Sequence, residues 1–264
     1  MSEPTTERPR ALRRRARKRL NLVGIFGELF ITAGVLILLF LGWQLWFNDI
    51  VFGNSQRNSA EELSTQWEQD FEQSDEPTEA APGGAEADLG DPVVLGDVAE
   101  NAKFANLIIP RLGSDYKRPV AEGVGNSVLN NANLGTGHYE SSAMPGGMGN
   151  FALASHRTAY GGSFHNIHEL IVGDSIFVET EDGWYKYIFR GLEYVKPSGV
   201  GVILPVPQQP GVEATERLIT LTTCNPFLSS AERIIAYGVY DSWYPRAGGP
   251  PAEIAGVASA AAAR

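Results

Sequence analysis

A single cysteine, Cys224, stands at the end of a β-branched run, Leu218–Thr223, that predicts a buried strand. Nine residues later Arg233 opens a second strand-like run, and far upstream a third such run ends in His156. A thiol is far more nucleophilic as the thiolate, and nearby cationic groups favour that form. These residue types at three strand ends therefore indicate a nucleophilic cysteine. A lone cysteine is also often an inert, buried side chain, so the thiol by itself does not decide between the two interpretations.

The residues around these positions resemble the sortase family of Gram-positive transpeptidases. That family carries a TLxTC signature, matched here by Thr220–Cys224, an Arg on the following strand, matched by Arg233, and an upstream His, matched by His156. The resemblance covers roughly residues 92–244. Shorter strings within it look like the class E sortases of actinobacteria, and their order and spacing carry the likeness: Ile109–Gly113, Gly137–Tyr139, Met144–Gly146 and Gly149–Asn150.

The resemblance implies the chemistry of acyl transfer. The enzyme would cleave a sorting signal after Thr, hold the acyl group as a thioester on Cys224, and pass it to an amine. His156 would favour the thiolate and protonate the leaving amine, while the rigid donor fork of Arg233 would bind the oxyanion and substrate carbonyls. No cofactor is expected. The expected partners are secreted proteins with C-terminal sorting signals and a peptidoglycan precursor amine.

Three further residues are candidates for substrate binding on the same resemblance. Thr222 and Thr223 precede the nucleophile, where they would line the sorting-signal groove or serve as ordinary strand residues. Tyr116 stands where class E sortases place an aromatic residue linked to a preference for Ala over Pro in the second motif position. The resemblance therefore implies an LAXTG-type signal, although Tyr116 could equally be a core residue.

The remaining histidines have weaker assignments. His138 lies in a string that resembles class E sortases, so it would either line the site or bond a loop carbonyl. His165 and His168 form an H-x-x-H pair, which can bind metal. Without further Cys or a clustered acid, a surface or helix-packing role is the better expectation, so no metal site is predicted.

An apolar run from Leu22 to Phe47 exceeds the ~20 residues that a helix needs to cross a membrane. A block of arginines and lysine at 13–19 precedes it, so the positive-inside rule predicts a cytoplasmic N-terminus at 1–21 and an extracellular catalytic domain. A cleaved signal peptide has a shorter apolar region and a small-residue cleavage site, which is not found after Phe47. We therefore expect a single-pass signal anchor in the cell membrane.

Charge separates the rest of the chain into segments. Residues 48–100 hold fourteen acidic residues against one Arg, which predicts an acidic extracellular linker over 48–91. Within it, a capping-box pattern and apolar residues at helical spacing predict a short helix at about 60–73, packed on the catalytic domain, the membrane or another copy, or only transient. The basic residues at 1–20 adjoin an apolar run and not a globular face, so no nucleic-acid partner is expected.

The catalytic domain is predicted at 92–246, followed by a disordered Ala-rich tail at 247–264. Many short strands with loop-rich connections indicate a closed or sandwich-like, mainly β fold, with short helices at about 126–130 and 164–169. The resemblance narrows this to the eight-stranded sortase β-barrel. The strand predictions are Ala105–Ile109, Asn150–Ser155, Ser175–Glu179, Tyr185–Phe189, Leu192–Val195, Leu218–Cys224 and Ile234–Tyr240.

Two other functions compete with wall anchoring by a class E sortase. A pilus-polymerising sortase would take its amine from a pilin lysine, but such enzymes commonly carry a lid before the barrel, and residues 74–91 are short and featureless. A non-catalytic, membrane-tethered domain would only bind wall peptides. The presence of His156, Cys224 and Arg233 together argues against it.

Overall fold

The computed structural model describes residues 22–43, 47–74 and 91–258, which fall into two compact units, 1–44 and 45–264. In the first unit, helix α1 (Leu22–Gly42) is predominantly apolar and exposes the side chains described along it. At 1.5 Å per residue, its length is close to the thickness of a hydrocarbon core. It fits a single-pass membrane anchor. The basic arm at 1–21 and residues 44–46 lie outside the described residues.

The second unit contains a closed eight-stranded barrel, so the predicted fold class is confirmed. Around the barrel the strands follow the order β1-β2-β3-β4-β7-β8-β6-β5. Most neighbours are antiparallel, but β2 pairs with β3 and β4 pairs with β7 in parallel. The strands are β1 (Lys103–Ile108), β2 (Lys117–Glu122), β3 (Thr136–His138), β4 (Gly149–Ser155), β5 (Ser175–Glu179), β6 (Gly183–Val195), β7 (Arg217–Asn225) and β8 (Glu232–Pro245).

The predicted strands correspond to six of these eight, and the differences have local causes. Strand β6 is one continuous strand where the sequence predicts two, because its register against β8 shifts between Phe189 and Gly191 and keeps both halves paired. Strands β2 and β3 were not predicted from the sequence. The first opens with Lys117 and Arg118, and the second is only three residues long, so neither shows a clear alternation. Inward side chains of the strands form one apolar core inside the barrel.

Helix α2 (Asn48–Gln73) begins well before the predicted 60–73 helix and packs on β2. Most of its buried residues are small or polar: Gln56, Ser59, Ala60 and Ser64. Trp67 is the one buried member of the predicted apolar stripe, since Leu63 is only partly buried and Phe71 is exposed. Ser59, the first residue of the predicted capping box, lies in mid-helix because α2 begins at Asn48, and its hydroxyl accepts a hydrogen bond from Lys103 at 2.9 Å. Of the four placements open to this helix, packing on the catalytic domain is the one observed. Residues 75–90 lie outside the described part of the chain.

A buried ionic network lies under the C-terminal half of α2. Glu179 contacts Lys117 Nζ at 3.0 Å and Arg246 Nη2 at 3.4 Å, and all three side chains are almost fully buried. Ser64 of α2 donates to the same carboxylate at 2.6 Å. Burial by itself raises the pKa of Glu179, but Lys117, Ser64 and Arg246 outweigh it, so the pKa of Glu179 is held below its usual value. The carboxylate is therefore charged and ties α2 to the barrel.

The remaining helices are short. Helix α3 (Asn126–Leu129) agrees with the prediction at 126–130, whereas the predicted 164–169 helix is a single 3-10 turn, Ile167–Glu169. The segment after β8 differs from the predicted disordered tail up to residue 258, where helix α4 (Ala255–Ala258) ends. Ile254 is fully buried against Ile108, Phe177 and Trp184, which gives this stretch an apolar anchor on the barrel. Residues 259–264 lie outside the described residues.

Candidate active site

Cys224 and Arg233 face each other across a β-hairpin. Strands β7 and β8 pair antiparallel with Cys224 opposite Arg233, and both side chains are partly exposed. Residues directly opposite on antiparallel strands point to the same face, with Cβ atoms about 4.5–5.5 Å apart. The nine-residue spacing seen in the sequence is therefore the spacing that this hairpin produces.

His156 completes the row from the other side of β7. Strand β4 pairs with β7 in parallel, with Ala154 aligned to Thr222. The same register carried two residues further aligns His156, the first residue after β4, with Cys224. Three neighbouring strands thus present an imidazole, a thiol and a guanidinium in order across one end of the barrel. No hydrogen bond joins the three side chains within the described residues, and such contacts are often long before substrate binds.

The imidazole of His156 is held by two neighbours. Its Nε2 lies 2.8 Å from Oδ1 of Asn130, the residue that follows α3, and its ring lies 5.1 Å from the ring of Tyr160. Burial lowers the pKa of His156, while the carboxylate of Asp49 on α2 opposes that shift. The neutral imidazole is therefore favoured at neutral pH, and Nδ1 is the ring nitrogen that remains for proton transfer.

A second set of contacts ties the end of β4 to the β7–β8 hairpin. Arg157 donates to Asn225 Oδ1, and Asn225 Nδ2 donates to Glu232 at 3.0 Å. On the other side of the hairpin, Arg233 Nη1 donates to the backbone carbonyls of Ser230 at 3.0 Å and Glu232 at 2.9 Å. These bonds hold the guanidinium of Arg233 on the β7–β8 hairpin while leaving its other nitrogens for a ligand.

The two threonines before the thiol connect strands. Thr223 donates to the carbonyl of Ser155 at 2.7 Å, and Thr222 donates to that of Leu153 at 3.1 Å. Thr222 also lies 3.1 Å from the hydroxyl of Tyr139. Both side chains are buried, so their hydroxyls stabilise the β4–β7 pairing that aligns His156 with Cys224.

Tyr116 lies near α2 and not in the row of three residues. Its side chain is buried, and its hydroxyl donates to the carbonyl of Ser163 at 2.8 Å. Burial raises the pKa of Tyr116, so it stays protonated and keeps this bond. One side of Tyr116 lines a cleft of about 340 Å³ between α2 and the segment 161–166, with Ile50, Gly53, Leu112 and Arg118 among the other lining residues.

His138 is a core histidine. It is 1% exposed, and its Nδ1 lies 2.8 Å from Glu122, while Nε2 lies 3.1 Å from the carbonyl of Ala143. Of the two alternatives that the sequence leaves open for this residue, the loop-carbonyl contact is the one observed. Within the described residues, no group of three or more His, Cys, Asp or Glu side chains is arranged to hold a metal ion. Of the H-x-x-H pair, His165 packs against the ring of Phe227, and His168 is exposed.

Comparison with known proteins agrees with this geometry. The sequence model of the Sortase domain matches residues 107–241, which is more than half of the chain. This chain belongs to the sortase family. Among curated relatives, Sortase SrtE1 of Streptomyces coelicolor is 36% identical over 231 residues, covering 85% of this chain and 59% of the relative. Sortase SrtE2 of the same organism is 31% identical over 236 residues, covering 87% of this chain and 86% of the relative.

Solved structures place this sortase near class E as well. Sortase E from Streptomyces avermitilis is 37% identical with a TM-score of 0.54, covering 60% of this chain and 99% of that one. The SrtA sortase from Actinomyces oris is 37% identical with a TM-score of 0.59, covering 63% and 95%. The class E resemblance is therefore supported. The chain spans less than two thirds of the length of Sortase SrtE1.

Several residues around the site of this sortase were missed by the sequence analysis. Asn130 and Tyr160 hold the imidazole of His156, and Asp49 and Gln56 of α2 hold the segments that carry them. Asn130 was inside a predicted helix, and the segment around Tyr160 has no periodic pattern. No signal in the sequence brings these four residues together. Tyr160 is only four residues from His156, but Asn130 is 26 residues from it, and the contacts of Asp49 and Gln56 with the 159–161 segment span more than 100 residues.

Proposed function

We propose that this sortase is a membrane-anchored cysteine transpeptidase that joins secreted proteins to a cell-wall amine. The observation that supports this best is the alignment of His156, Cys224 and Arg233 on three neighbouring strands. A partly exposed thiol with an imidazole on one side and a guanidinium on the other is suited to acyl transfer. A domain that only bound wall peptides would need neither the thiol nor this alignment.

In the first half-reaction the thiolate of Cys224 attacks the carbonyl carbon of the Thr in the sorting signal. The carbonyl oxygen becomes an oxyanion, which accepts hydrogen bonds from the unbonded nitrogens of Arg233. The tetrahedral intermediate then collapses, the C–N bond breaks, and protonated His156 gives its proton to the leaving amine. The products are a thioester on Cys224, neutral His156 and the released C-terminal peptide.

In the second half-reaction an acceptor amine attacks the thioester carbonyl. His156 takes the proton that this amine loses, Arg233 again binds the oxyanion, and the C–S bond breaks to regenerate the thiolate. The net result is one amide exchanged for another, with no oxidant or reductant. Because burial lowers the pKa of His156, burial opposes the imidazolium form that protonates the leaving amine.

The substrate and the topology complete the proposal. The α1 helix would anchor the enzyme with its N-terminus in the cytoplasm and the barrel outside, where sorting-signal proteins arrive still tethered to the membrane. The signal is of the LAXTG type, with Tyr116 supporting the preference for Ala. Since the hydroxyl of Tyr116 is bonded to Ser163, its influence would pass through the segment 161–166 and not through a direct hydroxyl contact.

The test is a product assay with the full-length protein in detergent micelles. LAXTG and LPXTG peptides, matched at all other positions, are incubated with glycine oligomers or diamino acid amides and the products are identified by mass spectrometry. We expect cleavage after Thr, a new amide with an added amine, and faster turnover of the LAXTG peptide. Faster turnover of LPXTG would contradict the substrate class, and absence of any amide product with either peptide would contradict transpeptidation.

A further inference from the structure

The N-terminal half of α2 packs on the segment that follows His156. The carboxylate of Asp49 accepts the backbone N–H of Ala159 at 3.1 Å and that of Gly161 at 3.4 Å. Phe52, one turn further along, meets the ring of Tyr160 edge-on at 5.8 Å between centroids. This half of the helix therefore contacts the 159–161 segment through both backbone and side-chain interactions.

Gln56 is the most deeply buried contact in this half of α2. Its side chain is 0% exposed, and its Nε2 donates to the carbonyl of Tyr160 at 2.8 Å and to that of Asn131 at 3.5 Å. Its Oε1 accepts the hydroxyl of Ser163 at 3.1 Å. One amide thus joins two segments that are remote in sequence, the loop after α3 and the loop after β4.

Two glycines form the slot that receives this amide. A methyl group on Gly135 would lie 2.1 Å from Gln56 Nε2, and one on Gly161 would lie 2.7 Å from Oε1. Both glycines also have positive φ, at 82° and 88°, a conformation that other residues adopt only with strain. The backbone on both sides is therefore shaped to close around the Gln56 side chain.

The two segments joined by Gln56 are the ones that hold the imidazole of His156. Asn130, whose Oδ1 lies 2.8 Å from His156 Nε2, is the neighbour of Asn131, and Tyr160 supplies the ring that lies against the imidazole. We propose that Gln56 is a positioning residue for His156, through which α2 sets the orientation of the imidazole toward Cys224. This inference rests on the proposed function, since it gives His156 its role in acyl transfer.

The chemistry explains why such a support matters. Proton transfer requires the correct ring nitrogen within hydrogen-bond reach of the reacting atom. A displacement of about 1 Å in an active site can reduce the rate about 100-fold. An imidazole at a strand end, followed by a loop, has little regular structure to hold it. Contacts from Asn130 and Tyr160 supply the missing restraint, and Gln56 fixes both of them.

The experiment compares Gln56→Met with Ser64→Ala in the full-length protein in detergent. Met is similar in size to Gln and removes all three hydrogen bonds. Ser64 is an equally buried polar residue of the same helix, about two turns further on, and it bonds to Glu179 and not to the site. We expect Gln56→Met to lower kcat about 10- to 100-fold with KM changed less than about twofold. Ser64→Ala should lower the melting temperature but keep kcat.

A second readout follows His156 directly by NMR titration of its imidazole. The titratable groups around the ring are Asp49 on α2, Tyr160 in the adjoining loop and, in register, Cys224 on β7. Because burial is what lowers the pKa of His156, loosening its support in Gln56→Met should raise that pKa toward 6.5. Ser64→Ala should leave it unchanged. This measurement needs no activity, so it tests the link to Gln56 even if the transpeptidase proposal fails.

A shorter amide provides the second variant if Gln56→Met does not fold. Gln56→Asn keeps the donor and the acceptor but reaches one methylene less, so it should give an intermediate loss of kcat and an intermediate rise in the pKa of His156. Wild-type kcat and an unmoved His156 pKa in the folded Gln56 variants would overturn the proposal. Equal losses of kcat in Gln56→Met and Ser64→Ala would also overturn it, since α2 would then act only through overall stability.

Discussion

Replacing Arg233 with Lys tests whether the site needs the several hydrogen-bond donors of a guanidinium or only its positive charge. In the structure, Nη1 of Arg233 is committed to the carbonyls of Ser230 and Glu232. Nε and Nη2 make no hydrogen bond within the described residues, so they are free to bind an oxyanion. A lysine has one nitrogen on a flexible stem, which can meet the hairpin carbonyls or the substrate oxygen but cannot reproduce the fork geometry toward both.

The magnitude follows from the number of donors lost. Removing one oxyanion donor typically lowers kcat about 100- to 1000-fold, or roughly 2.7–4 kcal/mol of transition-state stabilisation. Lysine keeps the positive charge, so we expect Arg233→Lys to lower kcat by about 100-fold, the lower limit of this range. Steady-state kinetics with an LAXTG peptide and an added amine measure kcat and KM separately, and KM should change less than kcat because the oxyanion exists only after attack.

The matched control is Arg190→Lys, the same substitution at an exposed position on β6. It should leave kcat and KM within about twofold of the wild-type values. If Arg233→Lys retains more than about a tenth of wild-type kcat, Arg233 supplies only a counter-charge for the thiolate. The oxyanion role assigned to its guanidinium would then be refuted.

Three further substitutions test the roles of His156, Glu179 and Tyr116. His156→Ala should be inactive in the peptide assay at every pH, because a higher pH supplies thiolate but no general acid for the leaving amine. Glu179→Gln should lower the free energy of unfolding by about 3–5 kcal/mol in urea denaturation, because Lys117 and Arg246 lose their buried counter-charge. Tyr116→Phe should keep the fold, lose about 1 kcal/mol with its bond to Ser163, and narrow the LAXTG over LPXTG preference.

Each of these has a contradicting result. Recovery of His156→Ala activity above pH 8 would show that the imidazole acts only to generate thiolate. Because the folded-state pKa of Glu179 is lowered, its contribution is present above the ordinary pKa of 4.5 and is lost as the pH falls through the folded value. A Glu179→Gln difference that grows in acid would therefore contradict the network. An unchanged preference for LAXTG over LPXTG in Tyr116→Phe would show that the Tyr116 hydroxyl plays no part in substrate selection.

Much of the barrel could be predicted from the sequence because its strands carry β-branched runs bounded by turn residues. The nearness of Cys224 and Arg233 was expected from the family resemblance, which places an Arg on the strand that follows the nucleophile. Closure into a barrel was expected only from the family resemblance. The alternation of apolar and polar residues along a strand does not show which strands become neighbours. The parallel pairing of β4 with β7, which brings His156 to Cys224, depends on that neighbourhood.

The support for His156 was not predictable for a different reason. Helix α2 buries Gln56, Ser59 and Ser64 against the barrel, and such residues give no hydrophobic periodicity. The acidic composition of 48–91 indicates a solvated linker, whereas hydrogen bonds, including one from Ser64 to the buried carboxylate of Glu179, hold this helix in place. Polar interfaces of this kind depend on the exact partner atoms, and those partners lie far away in the chain.

Trapping the acyl intermediate would show directly whether Cys224 carries the acyl group. Full-length protein is mixed with an LAXTG peptide without added amine, quenched in acid, and its intact mass and proteolytic fragments are measured. We expect a mass increase equal to the acyl portion of the peptide up to Thr, located on Cys224, removed by hydroxylamine, and absent from Cys224→Ala, whose near-isosteric side chain keeps the fold. An adduct elsewhere, or Cys224→Ala with a tenth or more of wild-type turnover, would contradict it.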